Sequence, residues 1–139
     1  MRSLIAGNWK MHGAGGSLGE IAAVARWRSD NAPRAEVLIC PPFTLISRAA
    51  EAAAGAVSIG GQDCHALISG AFTGEVSAEM LRDAGASAVI VGHSERRRYN
   101  GETDAMVAAK AEAAWRAGLL AIVCIGETED EHDAGRAET

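Results

Sequence analysis

Polar and ionisable residues directly follow two of the apolar runs in this 139-residue chain. Asn8 and Lys10 follow the first run, and His93 and Glu95 follow a later one. A fixed lysine can hold an anionic substrate, and a neutral imidazole can donate a hydrogen bond to a carbonyl oxygen. A carboxylate such as Glu95 can orient a lysine by ion pairing. The sequence therefore offers a cation for an anion and an electrophile for a carbonyl group.

The local position of His93 bears on its charge. It follows the apolar run 88–91, and Ser94 is expected to cap the turn of helix that comes next. The positive end of a helix dipole disfavours a positively charged imidazolium. A histidine in this place is therefore suited to act as a neutral hydrogen-bond donor.

Each of these residues also has a purely structural interpretation. Lys10 can be a solvated lysine at the end of a strand, as most lysines are. A single histidine after a strand is more often structural than catalytic. Cys124, which follows the last apolar run, is most simply a small core residue.

Other familiar chemistries do not fit the sequence. The glycine-rich segment 13–18 has Leu18 where a dinucleotide-binding loop needs its third glycine. No phosphate-binding loop lysine motif is present, and Arg96 replaces the second glycine of a nucleophile elbow. The four histidines show no metal-ligand spacing, so we expect no metal site.

Short apolar runs alternate with alanine-rich amphipathic stretches. The runs are nearly continuous, which is typical of parallel strands buried on both faces. Their alternation with helices predicts an α/β fold in which helices return each strand parallel to the last. The predicted strands are Leu4–Trp9, Val37–Cys40, Val57–Gly61, Ala88–Val91 and Leu119–Ile125. The predicted helices are Leu18–Ser29, Leu45–Ala54, Ser77–Asp83 and Thr103–Ala117, with a fifth that Thr128 would cap.

Length and charge limit the kind of protein. The 139 residues suit one domain, and no linker divides them, so residues 1–139 are predicted to form a single domain without an internal boundary. A complete (β/α)8 barrel typically needs about 250 residues, so we do not expect these 139 residues to form a whole one. The net charge is −5, all of it contributed by residues 127–139, and no basic patch suggests nucleic acid.

The sequence also indicates a cellular compartment. The N-terminus lacks the apolar segment of a signal peptide, and no apolar stretch reaches the length of a membrane span. The three cysteines show no C-x-x-C pair. We therefore expect a cytoplasmic protein that binds neither membranes nor nucleic acid.

Four segments, in order, resemble the triosephosphate isomerase family. They begin with Gly7-Asn8-Trp9-Lys10-Met11, which is similar to the family's first-strand signature, and the resemblance runs from residue 3 to the last residue. The other three are Gly70-Ala71-Phe72-Thr73-Gly74-Glu75-Val76-Ser77, Val91-Gly92-His93-Ser94-Glu95-Arg96-Arg97 and Cys124-Ile125-Gly126-Glu127-Thr128. The resemblance implies a partial (β/α)8 barrel of about five parallel strands and four to five helices.

The resemblance also implies a reaction and residue roles. The reaction is the interconversion of dihydroxyacetone phosphate and D-glyceraldehyde 3-phosphate by proton transfer through an enediol, without a cofactor. Lys10 would hold the anionic substrate beside Asn8, His93 would polarise the carbonyl, and Glu95 would orient Lys10.

Further roles implied by the resemblance are structural. Arg96 and Glu102 would form an ion pair, and Cys124 would pack behind the site. Thr73 would insert into a partner subunit of a homodimer, near that subunit's copies of Asn8 and Lys10.

The resemblance places the general base of the family, a glutamate after a sixth strand, beyond Thr139. Glu127, Glu129 and Glu131 belong to the fifth loop and helix and would not replace it. We therefore expect the chain alone to be inactive. Two other interpretations stay open: a non-catalytic half-barrel that associates with itself or with a complementary C-terminal fragment, and a truncated product without a role.

Overall fold

Five parallel strands form one sheet in the computed structural model, which describes residues 3–126. Their spatial order, β1-β2-β3-β4-β5, is their order along the chain. The register pairs Gly7 with Ile39 between β1 and β2, and Val91 with Val123 between β4 and β5. The strands are β1 (Leu4–Asn8), β2 (Glu36–Cys40), β3 (Ser58–Gly61), β4 (Ala88–Val91) and β5 (Leu120–Val123).

Helices connect the consecutive strands. Single 3₁₀ turns at Gly15–Ser17 and Phe43–Leu45 lead into the first two helices. The hydroxyls of Ser77 and Thr103 accept backbone N–H groups and so cap the third and fifth helices. The helices are α1 (Leu18–Asn31), α2 (Ile46–Ala53), α3 (Ala78–Asp83), α4 (Ser94–Asn100) and α5 (Asp104–Arg116).

The two faces of the sheet have different cores. On one face, strand residues such as Ile39 and Val89 pack against helix residues such as Ile21, Ile46 and Val107. The other face carries a smaller cluster made only of strand and strand-end residues. Its members are Leu38, Cys40, Ala88, Ile90, Ile122 and Cys124. The helices α1, α2, α3 and α5 all contribute to the core on the first face, and a sheet whose strands follow chain order under such a layer is an arc that winds in a single direction.

The predicted strands agree with the structure to within two residues at each end. Of α4 only the first turn after His93 was predicted, because its residues Ser94–Asn100 include no buried one and thus show no apolar periodicity. The predicted fifth helix, with Thr128 as its cap, lies outside the described residues.

The prediction that every strand is buried on both faces is wrong for β1 and β5. Ile5 of β1 is 62% exposed and Leu120 of β5 is 57% exposed. These two strands lie at the edges of an open sheet, so each has a neighbour on one side only. The inner strand β4, in contrast, is buried at every residue.

Within residues 3–126, none of the helices combines the length and apolar composition needed to cross a membrane.

Candidate active site

The predicted site residues meet in one cavity at the carboxyl ends of the strands. Its volume is about 370 Å³. Asn8 and Lys10 come from the end of β1, His93 and Glu95 from the end of β4, and Gln62 from the end of β3 between them. Parallel strands end at a common rim, which is where α/β folds place their functional groups. Met11, Phe43, Asp63, Arg96, Tyr99 and Asn100 complete the lining.

Lys10 has an unusual backbone. Its φ is +56°, in the left-handed region, which costs a residue with a side chain roughly 1–2 kcal/mol. The side chain of Asn8 accepts a hydrogen bond from the Lys10 N–H at 2.8 Å, and the side chain of Gln62 donates one to the Lys10 carbonyl, also at 2.8 Å. The surrounding amides therefore hold the strained conformation in place.

The Lys10 ammonium contacts the Glu95 carboxylate. The Nζ–Oε1 distance is 2.7 Å, and both side chains are roughly half exposed. The hydrogen bond from Lys10 lowers the pKa of the Glu95 carboxyl below its usual range. An exposed pair of this kind adds little stability, so its main effect is to fix the direction of the ammonium group.

His93 occupies the N-cap of α4. Its Nδ1 accepts the backbone N–H of Glu95 at 3.1 Å. The expectation that Ser94 is the cap is therefore wrong: Ser94 is the first residue of the helix, and the ring of the preceding histidine takes the capping position. Because Nδ1 is an acceptor here, a neutral ring carries its proton on Nε2. That nitrogen is then free to donate to a substrate oxygen.

A buried charge network lies behind this rim. Arg96 Nε is 2.7 Å from Glu102 Oε2 and 3.1 Å from Asp63 Oδ2. Lys110 Nζ is 2.6 Å from Glu102 and 2.8 Å from Asp63. Two cations and two carboxylates thus alternate in a closed ring that links the ends of β3 and β4 with α5.

The pKa values of the network reflect a balance of burial and charge. Burial opposes the charged form of Lys110, but the hydrogen bonds that its ammonium donates to Asp63 and Glu102 outweigh this effect and raise the lysine pKa. Burial likewise acts to raise the pKa of Glu102, and Lys110 with Arg96 reverses this into a net lowering. For Asp63 burial prevails and its pKa is raised despite Lys110.

Arg97 holds the ends of β4 and β5 together. Its guanidinium donates to the carbonyls of Gly92 at 2.8 Å and Cys124 at 3.0 Å, and contacts Asp104 at 2.6 Å. Cys124 is half-buried in the cluster on the sheet face without helices, and burial raises its thiol pKa. The arrangement makes Cys124 a packing residue whose backbone, rather than its thiol, engages Arg97.

The remaining cysteines are buried and unreactive. Burial raises the pKa of the Cys40 thiol to about 12 and that of Cys64 to about 11. Both are free thiols and stay protonated at neutral pH. Among residues 3–126, the His, Cys, Asp and Glu side chains form no group of three or more that could hold a metal ion.

Thr73 lies in an exposed loop between β3 and α3. In that loop the Phe72 ring stacks on His65 at a centroid distance of 4.1 Å. The contact of Thr73 with a partner subunit stays a prediction.

Sequence reasoning missed Gln62, Asp63 and Lys110. Gln62 and Asp63 directly follow a predicted strand, as Lys10 does, and that position was the available signal. Lys110 lies in the middle of a helix among alanines, where nothing in the pattern distinguishes a buried lysine from a solvated one.

Known proteins of one family match this chain along most of its length. The family model described as Triosephosphate isomerase matches residues 3–139. A protein of that name from Afipia carboxidovorans is 66% identical over 138 residues, which are 99% of this chain and 55% of the relative. Another from Ruegeria sp. is 61% identical over 134 residues, 96% of this chain and 53% of the relative.

A solved structure agrees with the sequence relatives. The crystal structure of triosephosphate isomerase from Bartonella henselae superposes with a TM-score of 0.91 at 52% identity, covering 98% of this chain and 56% of that one. The chain thus spans about half the length of the proteins it matches. Its fold is a partial (β/α)8 barrel with five parallel strands, and the chain belongs to the triosephosphate isomerase family.

Proposed function

We propose that residues 1–139 supply the carbonyl-polarising half of a triosephosphate isomerase site. The reaction interconverts dihydroxyacetone phosphate and D-glyceraldehyde 3-phosphate and uses no cofactor. The observation that carries the proposal is the convergence of Lys10, Glu95 and His93 on one cavity, with the Lys10–Glu95 pair at 2.7 Å. Family membership and the high identity to named isomerases support it.

Each group has a distinct task in this reaction. The Lys10 ammonium attracts the anionic substrate and offsets the negative charge that grows on oxygen as the enediolate forms. Asn8 holds the Lys10 backbone and contacts the substrate beside it. His93 donates from Nε2 to the carbonyl oxygen. It then moves a proton between the two oxygens of the enediol by giving one and taking back the other.

A carbon acid loses its proton only to a positioned base. Glu95 is engaged with Lys10, and the carboxylates of Asp63 and Glu102 belong to the buried network. We therefore assign the base to the part of the relatives that this chain does not match. On this account the 139 residues alone give no turnover.

The test joins residues 1–139 to the remaining part of the Afipia carboxidovorans relative. We expect this chimera to isomerise dihydroxyacetone phosphate, while the 139-residue chain alone does not, in a coupled assay for glyceraldehyde 3-phosphate. A folded chimera without turnover would contradict the proposal. So would turnover by the 139-residue chain that His93→Ala abolishes.

A second candidate is a non-catalytic half-barrel that self-associates or complements a C-terminal fragment. The exposed apolar residues along the two edge strands favour it. These include Ile5 at 62%, Leu120 at 57% and Val123 at 47% exposure. Unpaired strand edges are templates for association. Association without any gain of activity in the chimera would favour this candidate over the enzyme.

The expected setting follows from the same family. The substrate is a small phosphorylated triose, the complete protein is a cytoplasmic homodimer, and Thr73 lies at its interface. Neither nucleic acid nor membrane takes part. A single-species mass for the chimera of twice its chain mass in light scattering would support the dimer, and a monomer would oppose it.

A further inference from the structure

The side chain of Gln62 touches the one residue of the site whose backbone is strained. Lys10 has φ +56°, and its carbonyl accepts a hydrogen bond from Gln62 Nε2 at 2.8 Å. The Lys10 N–H on the other side of the residue is held by Asn8 Oδ1. Both peptide groups that flank the strained Cα are therefore fixed by side-chain amides.

Gln62 also ties Lys10 to the neighbouring strand. The same Nε2 donates to the carbonyl of Cys40, the last residue of β2, at 2.9 Å. That carbonyl accepts the backbone N–H of Trp9 as well, at 3.0 Å. Because both partners of Gln62 are carbonyl oxygens, its NH₂ group and not its oxygen must face them.

We propose that Gln62 is a positioning residue, whose amide holds the backbone of Lys10 so that the ammonium points into the cavity toward Glu95. The role of this positioning in catalysis rests on the proposed function, but the positioning of Lys10 itself can be measured without turnover. Gln62 follows β3, so a single side chain joins the ends of β1, β2 and β3 at Lys10.

The backbone conformation of Lys10 matters for its ammonium because φ sets the direction of the Cα–Cβ bond. Relaxation of Lys10 from a positive to a negative φ turns its side chain away from the present direction. Its Nζ then leaves the 2.7 Å contact with Glu95. The Lys10 side chain is 52% exposed, so few packing contacts of its own keep it in place. The backbone must fix the direction instead.

The test is a titration of the Glu95 carboxyl by ¹³C NMR in the 139-residue chain and in Gln62→Met. Methionine has about the length of glutamine and no N–H donor. Since the hydrogen bond from Lys10 holds the pKa of Glu95 low, we expect that pKa to rise toward its usual value in Gln62→Met. An unchanged Glu95 titration in a folded Gln62→Met chain would overturn the proposal.

A matched control removes a hydrogen bond of the same kind elsewhere. Asn31 donates from its side-chain amide to the Trp27 carbonyl at 2.8 Å, at the end of α1. Asn31→Leu should lower stability but leave the Glu95 titration as it is. If Gln62 had only a structural role, Gln62→Met would likewise lower stability and leave the Glu95 titration unchanged.

Gln62→Asn is a second variant that retains the amide but is one methylene shorter. It should raise the pKa of Glu95 in the same direction. If neither variant folds, Gln62 serves folding rather than positioning and the proposal is wrong.

The chimera separates this inference from the proposed function. If the chimera is active, Gln62→Met should lower its kcat/KM by about tenfold to hundredfold, as misplaced site groups do, and Asn31→Leu should leave it unchanged. If the chimera is inactive but Gln62→Met still shifts the Glu95 titration, the proposed function fails and the positioning role stands. If the chimera is active and Gln62→Met does not change its kcat/KM, the contact between Gln62 and Lys10 has no role in catalysis.

Discussion

Lys110 is the centre of the buried charge network at the scale of single residues. Its ammonium contacts both Asp63 and Glu102, whose side chains are only 6% and 1% exposed. Carboxylates this deeply buried are tolerated only when they are paired. The network also includes Arg96, which neighbours Glu95 of the site in the chain, so its integrity determines where α4 lies.

We predict that Lys110→Met destabilises the chain strongly. Two carboxylates lose a buried cation, which typically costs about 3–5 kcal/mol. Urea unfolding followed by circular dichroism measures the change. Glu112→Met, at an exposed position on the same helix, is the control and should alter stability by less than about 0.5 kcal/mol. Equal losses for the two variants would contradict the role given to Lys110.

The raised pKa of Lys110 predicts a loss of stability at alkaline pH. A lysine whose pKa is higher in the folded than in the unfolded state stabilises the fold fully below the unfolded value, 10.5. That contribution disappears as the pH rises through the folded value. At acid pH the shifts of Asp63 and Glu102 have opposite directions and partly offset each other.

Denaturant midpoints measured between pH 9 and pH 12 test this expectation. The original chain should lose stability more steeply with rising pH than Lys110→Met, since the variant has no ammonium at position 110 to deprotonate. If the denaturant midpoints of the two proteins fall equally with pH, the charge network does not stabilise the fold through the Lys110 ammonium.

The helix α4 shows how an element can combine a structural and a chemical role. Its cap is the imidazole of His93, whose Nδ1 accepts the N–H of Glu95. We predict that His93→Ala lowers stability by about 1 kcal/mol through loss of the cap, whereas His93→Asn retains it because asparagine is a good N-cap. Thermal unfolding of the two variants measures the difference. A stable His93→Ala variant would mean that the cap contributes nothing.

The elements differ in how well the sequence predicts them. The strands were predicted because apolar runs reflect burial, and the caps Ser77 and Thr103 marked the start of two helices. Only the first turn of α4 was predicted, since its residues Ser94–Asn100 are held by a cap and by ion pairs rather than by an apolar face. Gln62 was missed for a related reason. Its role depends on contacts across three strands, which no local pattern records.

The whole sheet is open, and its two edge strands are more exposed than the strands between them. Continuous apolar runs suggested strands buried on both faces, yet only the inner strands are, since β1 and β5 each have a single neighbour. Burial of an edge strand depends on what lies beside it, and the sequence of that strand does not contain this information.

We predict that the 139-residue chain self-associates at micromolar concentration through these edges. Ile5→Lys, which places a charge on the exposed β1 edge, should reduce the mass observed by light scattering. Met80→Lys, on the exposed part of α3, is the control for added charge. A monomer at tens of micromolar, or the same effect from both variants, would contradict edge-to-edge association.

We propose that this chain provides the cation and the electrophile of an isomerase site. The most direct test is the steady-state isomerisation of dihydroxyacetone phosphate by the chimera and by its Lys10→Met and His93→Asn variants. Both variants should fold, and each should lower kcat/KM by at least about a hundredfold, the usual cost of losing a group that stabilises charge or transfers a proton. Turnover by either folded variant at the rate of the unmodified chimera would contradict the account.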